Sequence, residues 1–152
     1  MKTLKQMVKK MQADSLPEIE LGNFLDAFYR GPSQETVREE PPLLPEVYPH
    51  GAVINAYLAA TAEYLCRRFG LPIPDWVFKP CRYLERPYFA LEAASFRATL
   101  LLESPLEFRS RNLFVTANAL SRASELSTLA TAAIYARAVA LDSTQQLVKK
   151  PS

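Results

Sequence analysis

The sequence is poor in the residues from which most catalytic sites are built. It contains one histidine, two cysteines and four glycines in 152 residues. A Ser–His or Cys–His dyad would have to use His50, which stands in a proline-rich stretch with no supporting pattern around it. The glycines show neither a GxGxxG nor a P-loop spacing. We therefore predict no catalytic residue and expect a protein that is not an enzyme.

Metal and disulfide frameworks are equally unsupported. Cys66 and Cys81 are far apart in the sequence, and neither belongs to a CxxC pair. Such an arrangement is typical of neither a zinc site nor a disulfide scaffold. We interpret both cysteines as buried thiols in a reducing compartment. We expect no metal and no cofactor.

Long apolar runs are also missing. No stretch reaches the roughly 18 apolar residues of a membrane helix, because Asn55 and Glu63 interrupt the longest candidate. The first residues are charged and lack the apolar core of a secretory signal. A net charge of +2 creates no field that would require nucleic acid. We expect a cytoplasmic protein that binds no membrane and does not favour nucleic acid.

The sequence is rich in helical periodicity. Its apolar fraction of 49% and charged fraction of 22% are those of an ordinary globular protein. We predict an all-α fold, a single compact helical domain of five to seven helices with long proline-rich connections. The longer predicted helices cover residues 2–13, 17–31, 51–69, 91–102 and 124–141; shorter ones cover 75–78, a turn after Ser104, and 116–120.

The predicted domain 1–152 has three parts. Residues 1–31 form an N-terminal helical hairpin, residues 32–50 a proline-rich connection that is not helical, and residues 51–141 the main body. In that body, helix 51–69 is predicted to pack against 91–102 as a central pair. The connection could divide the hairpin from the body, or it could wrap along the body. We favour wrapping, with four apolar anchors: Leu43, Leu44, Val47 and Tyr48.

The segment from Glu103 to Ala123 is the most sharply punctuated. Ser104, Pro105 and Glu107 have the spacing of a capping box with proline at the first helical position. Asn112 is a plausible helix stop. Arg109 and Arg111 are two residues apart, so on a helix they point about 200° from one another. One of them should lie against the domain and the other should face outward.

This segment also supplies the candidate binding residues. Arginine forks bind phosphate or carboxylate groups, and aromatic rings offer stacking surfaces. The arginines could instead pair with the eight acidic residues between positions 14 and 46, so structural ion pairs remain an alternative. The candidate set comprises Phe108, Arg109, Arg111 and Asn112, together with Trp76 and Tyr83.

Several of these stretches resemble an uncharacterised bacterial all-helical domain. They are Ala62-Glu63-Tyr64-Leu65, the run from Gly70 to Trp76, Glu103-Ser104-Pro105, the run from Phe108 to Val115, and the run from Leu120 to Ala123. Domains of this kind occur alone, behind helix-turn-helix modules, or in toxin–antitoxin-like gene pairs. The resemblance covers less than half of the chain and implies no catalytic motif. It also departs from the fused pattern, because Leu4 to Phe28 offers two helices but no third, DNA-reading one.

Two functions follow as hypotheses. The first is a non-enzymatic interaction or regulatory module, such as the antitoxin-like partner of a bacterial protein pair, which binds another protein or a second copy of itself. The alternative is a small-molecule or anion-binding sensor or enzyme with an aromatic and arginine-lined pocket. A deep pocket with converging arginines favours the alternative. Buried aromatics with an exposed apolar patch favour the module.

Overall fold

The computed structural model describes residues 2–13, 17–45, 50–91 and 93–122. These residues are mostly helical, which confirms the all-α prediction. The predicted helix 124–141 lies outside the described residues. Six α-helices are present in the described part: α1 (Leu4–Ala13), α2 (Pro17–Arg30), α3 (Glu35–Arg38), α4 (Gly51–Phe69), α5 (Arg97–Glu103) and α6 (Leu106–Arg109).

Short 3₁₀ turns and two strands complete the described elements. The turns are Asp75–Phe78, Pro80–Arg82 and Ala94–Phe96, and the strands are β1 (Tyr88–Phe89) and β2 (Leu113–Phe114). The strands pair in parallel, with Tyr88 opposite Leu113. The sequence suggested no sheet here, because each strand has only two residues. No helix in the described ranges is long and apolar enough to cross a membrane.

Helices α1 and α2 form the predicted hairpin and pack against each other. The apolar stripe of α1 is buried, as its spacing predicts. In α2 the inward face is also buried, but Ile19, predicted to belong to it, is 55% exposed. The buried side chains of the hairpin include Leu4, Met7, Val8, Met11, Phe24, Leu25, Phe28 and Tyr29.

Helix α4 is the centre of the fold and has the predicted bounds. Its buried face is rich in alanine, which lets the 3₁₀ turns and α6 approach it closely. Gly70 ends the helix at φ 66°, and its N–H bonds to the Cys66 carbonyl. This left-handed conformation explains why glycine follows the helix. Cys66 is buried as predicted, whereas Cys81 is exposed, contrary to the prediction.

Helix α5 does not form the predicted central pair with α4. It begins only at Arg97 and packs against β2 and the turn before it. Leu100 is its one buried residue, because α6 and the 3₁₀ turns occupy the face of α4 instead. Residues predicted to point inward are exposed: Leu91, Ala94, Ala98, Leu101 and Leu102. Residues 117–120 form turns rather than the predicted short helix.

The described part of the connection, residues 32–45, lies along the body. Val37 and Leu44 are buried, whereas Leu43, a predicted anchor, is 45% exposed. The Leu44 N–H donates to Asn55 Oδ1 at 2.9 Å. The four-residue helix α3 shows that the prediction of a connection without helix is wrong; the stretch between Pro32 and Pro41 contains no proline, which permits the turn to form. The other predicted anchors, Val47 and Tyr48, lie outside the described residues.

Candidate functional site

Arg111 is the inward member of the arginine pair. Its side chain is fully buried, in the turn that follows α6. Nη1 donates to Glu63 Oε1 at 2.7 Å and to the Glu107 carbonyl at 2.8 Å, and Nη2 donates to the Val77 carbonyl at 2.7 Å. The guanidinium lies over the Tyr83 ring, 4.7 Å from its centroid. Arg111 therefore joins α4, α6 and the Asp75–Phe78 turn.

Glu63, on the buried face of α4, binds a second arginine. Its Oε2 accepts hydrogen bonds from Arg67 Nε at 2.9 Å and Nη2 at 2.7 Å. Arg67 Nε also lies 3.5 Å from Glu107 Oε2. Two arginines and two glutamates thus form a cluster without net charge. Such pairing permits the burial of Arg111 and Glu63, since an isolated charge in the interior is costly, while Arg67 lies at the exposed edge of the cluster.

Arg82, which is not in the candidate set, forms a second buried centre. Its Nη1 donates to the Asn55 carbonyl at 3.1 Å. Its Nη2 donates to Glu40 Oε2 at 3.0 Å and to the Pro41 carbonyl at 2.7 Å. The guanidinium lies over the Trp76 ring at 4.9 Å. The sequence signal that could have identified Arg82 is the Glu39-Glu40 pair. A connection that wraps along the body brings these acids close to it, so a cation is needed there.

Glu40 connects this centre to the surface. Lys79 Nζ donates to its Oε1 at 2.7 Å. Burial acts to raise the pKa of Glu40, but the hydrogen bonds from Lys79 and Arg82 outweigh it and hold the pKa below its usual value of 4.5. The carboxylate is therefore charged at neutral pH and ties the connection to the body.

The aromatic candidates take part in the same packing. Phe108 is fully buried, with its ring 5.0 Å from that of Tyr57. Trp76 is buried, and its Nε1 donates to the Val37 carbonyl at 2.9 Å. Tyr83 is half-buried beneath Arg111. These rings pack against the protein's own side chains and backbone rather than standing around a common opening.

Arg109 and Asn112 complete the predicted set. Arg109 is exposed, and its Nη1 donates to the Leu101 carbonyl at 3.4 Å. The prediction that one arginine lies inward and the other outward is therefore confirmed. Asn112 adopts φ 65° in the turn after α6, and its Nδ2 donates to the Leu84 carbonyl at 2.8 Å. Asparagine tolerates this left-handed conformation, which suits its position as a helix stop.

The predicted capping box at Ser104 is wrong. The residue that precedes α6 is Pro105, and no side chain caps that helix. The Ser104 hydroxyl instead donates to the Leu100 carbonyl at 2.6 Å and accepts from the Val115 N–H at 2.8 Å. Glu107 contacts Arg67 rather than the chain before the helix. The sequence suggested a cap because local spacing does not predict that Val115, eleven residues further on, is the hydrogen-bond partner of Ser104.

An exposed apolar surface lies around α5. Eight large apolar side chains are exposed in the described part of the chain, and five of them fall between residues 91 and 106. Leu102 is 82% exposed and Leu106 58%. Arg97, over the Phe89 ring, and Arg109 are exposed basic residues of the same region. The α5 surface, as we define it, comprises Leu91, Phe96, Leu101, Leu102 and Leu106.

An apolar cavity lies on another part of the molecule. It has a volume of about 470 Å³ and is lined by residues of α1, α2 and α4 and by Ala90. The described lining includes no arginine. Tyr57 is its single residue with a side-chain hydroxyl, and burial raises the pKa of that group to about 12. This cavity differs from the aromatic and arginine-lined pocket predicted from the sequence.

No catalytic or metal-binding arrangement is evident in the described ranges. No group of three or more His, Cys, Asp or Glu residues there could hold a metal ion. His50 precedes α4 and contacts the Tyr88 ring, with centroids 5.9 Å apart. Comparison with protein-family models, curated proteins and solved structures gave no significant match.

Proposed function

We propose that the chain is a cytoplasmic, non-enzymatic interaction module whose protein partner docks on the α5 surface. The observation that carries this proposal is the exposure of Leu101 and Leu102 on α5 and of Leu106 at the start of α6. A concentration of exposed apolar side chains in one part of a chain is a common mark of protein-binding sites, since leaving them in water is unfavourable. The proposed role as the antitoxin-like member of a bacterial protein pair is supported by the sequence resemblance.

The charges around the α5 surface indicate the chemistry of the partner. Arg97 and Arg109 are exposed, and Glu103 is the acidic residue of α5. Apolar cores with charged rims are typical of transient interfaces. We therefore propose a partner that presents an apolar helix face with acidic side chains beside it.

The alternative is an anion-binding sensor or enzyme, which would need arginine donors free to meet a ligand. Arg111 and Arg82 use both terminal nitrogens on the protein itself. Arg109 is exposed, and its Nη1 donates to the Leu101 carbonyl of the protein itself. The geometry therefore favours the interaction module. An uncharged small-molecule ligand remains an alternative for the apolar cavity.

The proposal is tested with the product of the adjacent gene as the candidate partner. Titration calorimetry should detect a complex with the unmodified chain. The Leu102→Asp and Leu106→Asp substitutions should weaken it roughly tenfold or more, because each places a charge in an apolar interface. Both side chains are exposed, so the melting temperature of the free protein should change little.

Leu43→Asp is the matched control, since Leu43 is exposed but lies on the connection. It should leave the affinity unchanged. Equal binding by all variants, or no complex with that partner, would contradict the proposal. Sedimentation of the chain alone tests whether the partner is a second copy of this chain. A dimer of the parent that is lost in Leu102→Asp would show that it is.

A further inference from the structure

The apolar cavity lined by α1, α2 and α4 has the size and lining of a site for a flexible apolar group. Its volume of about 470 Å³ lies in the range of small-molecule sites. Tyr57 supplies the one hydroxyl of the described lining, and the other described lining residues are aliphatic or methionine. Met7 and Met11 of α1 are among them, and methionine side chains adapt to irregular occupants. The lining therefore favours an apolar chain over water.

A basic groove borders this cavity on the α1 side. The groove has a volume of about 180 Å³ and is lined by Lys2, Gln6, Met7 and Lys10. Met7 lines both the groove and the cavity, so the two spaces meet at this side chain. Lys10 lies about 60° from Met7 around the helix axis, on the side of α1 that carries Gln6. The stem of Lys10 therefore starts beside a wall of the cavity.

The positive charge of the groove has no counter-charge in its surroundings as far as the structure describes them. Residues 1–13 contain no acidic residue. The described linings of the groove and the cavity include no carboxylate. Lys5, elsewhere on α1, does have a carboxylate partner, since its Nζ lies 3.7 Å from Glu39 Oε1. Because the stems of Lys2 and Lys10 are flexible, their ammonium groups can approach an anion in the groove.

We propose that the cavity binds the chain of a free fatty carboxylate, whose carboxylate lies in the groove near Lys2 and Lys10. The apolar lining removes the chain from water, which is the main source of affinity for such a group. The ammonium groups stay in water, so they add modest affinity and select anionic ligands over cationic ones. The inference does not depend on the proposed function, since the α5 surface is a different set of residues.

Titration calorimetry of the full-length chain with decanoate, kept below the concentration at which it forms micelles, measures this binding. The affinity should rise roughly tenfold at each step from hexanoate to octanoate to decanoate, because each step buries two more methylene groups. Added salt should weaken the binding of decanoate but not that of decanol, the uncharged probe with the same chain. Decyltrimethylammonium, the cationic probe, should bind more weakly than decanoate.

Substitutions separate the groove from the cavity. Lys10→Glu should weaken decanoate binding about fivefold, because it replaces attraction by repulsion, and should leave decanol unaffected. Lys9→Glu is the matched control, since it changes the net charge equally but lies about 160° from Met7 around α1 and does not line the groove. Ile54→Trp should fill the cavity and abolish the binding of both probes. Ala90→Phe is a second filling substitution at an exposed position, and thermal unfolding checks that each variant folds.

The methyl signals of Met7 and Met11 locate the ligand after ¹³C-methyl labelling, with Met7→Leu and Met11→Leu to assign them. Both signals should shift with decanoate, and Leu102→Asp should leave its binding unchanged. Loss of binding in Leu102→Asp would overturn the proposal, since the ligand would then lie on the α5 surface. Equal effects of Lys9→Glu and Lys10→Glu, or tighter binding of either decanol or decyltrimethylammonium than of decanoate, would also overturn it.

A membrane surface is the other source of anionic groups with apolar chains. Sedimentation with phosphatidylglycerol vesicles distinguishes it from the free carboxylate. We expect the chain to bind decanoate and to remain in the supernatant when vesicles are pelleted. A chain that sediments with the vesicles but has no affinity for free decanoate would overturn the proposal.

Discussion

At the scale of single residues, the two buried arginines hold separate segments of the chain together, as apolar packing does elsewhere in the protein. Arg82 and Arg111 each join separate parts of the chain through their planar guanidinium groups and stack on an aromatic ring. The Nε atom of each is buried with no hydrogen-bond partner among the described residues. Lysine could not replace them, because it lacks the fork of donors that reaches carboxylate and carbonyl oxygens together.

Replacement of the arginine pair one at a time should separate their roles. Arg111→Ala should destabilise the fold by about 3–5 kcal/mol, because Glu63 is left buried with one partner fewer. For a chain of this length the melting temperature should fall by on the order of 10 °C. Arg109→Ala should change stability by less than about 0.5 kcal/mol. Thermal unfolding measures both, and similar effects of the two substitutions would contradict the assignment of Arg111 as the structural arginine.

The sequence predicted that one arginine lies inward but could not identify which. The decisive partner, Glu63, is 48 residues away. The sequence analysis noted Glu63 as an acid that interrupts the apolar run of α4, without assigning it a partner. A glutamate on an otherwise apolar helix face needs a buried cation, so it was the available signal for Arg111. The binding role of the candidate residues stays a prediction.

At the scale of elements, the corner between α5 and α6 depends on one hydroxyl. Ser104 Oγ contacts Leu100 in α5 and Val115 just after β2. It thereby satisfies the Val115 N–H at a place where the chain leaves the short sheet. A serine that bridges two segments and a serine that caps a helix should tolerate different substitutions.

Substitution of Ser104 distinguishes a bridge from a cap. Ser104→Ala should cost about 1–3 kcal/mol, because the buried Val115 N–H loses its acceptor. Aspartate is a good helix cap but cannot donate to the Leu100 carbonyl when ionised. Ser104→Asp should therefore destabilise at least as much as Ser104→Ala in urea unfolding at pH 7. Near-normal stability of Ser104→Asp would instead support the capping box.

The length of an element decided whether the sequence could predict it. Helices α1, α2 and α4 have ten or more residues each, and glycine or proline lies beyond the ends of α2 and α4. Periodicity and stop signals therefore sufficed to place them. The four-residue α3 and seven-residue α5 contain too few turns to define a buried face. The pairing of β1 with β2 depends on where Arg111 and Asn112 lie in the folded chain. Local sequence patterns do not predict that position.

At the scale of the whole molecule, the hairpin and the body share one core. The rings of Phe28 in α2 and Phe69 in α4 are 5.5 Å apart. Trp76 reaches the connection through its bond to the Val37 carbonyl, and Arg82 does so through Glu40. Separation of the hairpin from the body would expose both sides of these contacts, and the single domain 1–152 stays a prediction. A single domain of this size should unfold in one cooperative transition.

The attachment of the connection gives the molecule an acid dependence that can be assigned to one residue. The pKa of Glu40 is lowered in the folded protein, so its contribution to stability is present above its usual value of 4.5 and is lost as the pH falls through the lowered pKa. Glu40→Gln should therefore cost about 2 kcal/mol at pH 7, through weaker bonds to Arg82 and Lys79, and progressively less toward pH 3. Glu39→Gln is the control, because Glu39 is exposed and its ion pair with Lys5 Nζ is long, at 3.7 Å. Urea unfolding at several pH values measures the free energy of unfolding of each variant. The values for the parent and for Glu40→Gln should converge in acid, whereas those for Glu39→Gln should run parallel to the parent. A constant difference between Glu40→Gln and the parent would mean that this carboxylate does not hold the connection to the body.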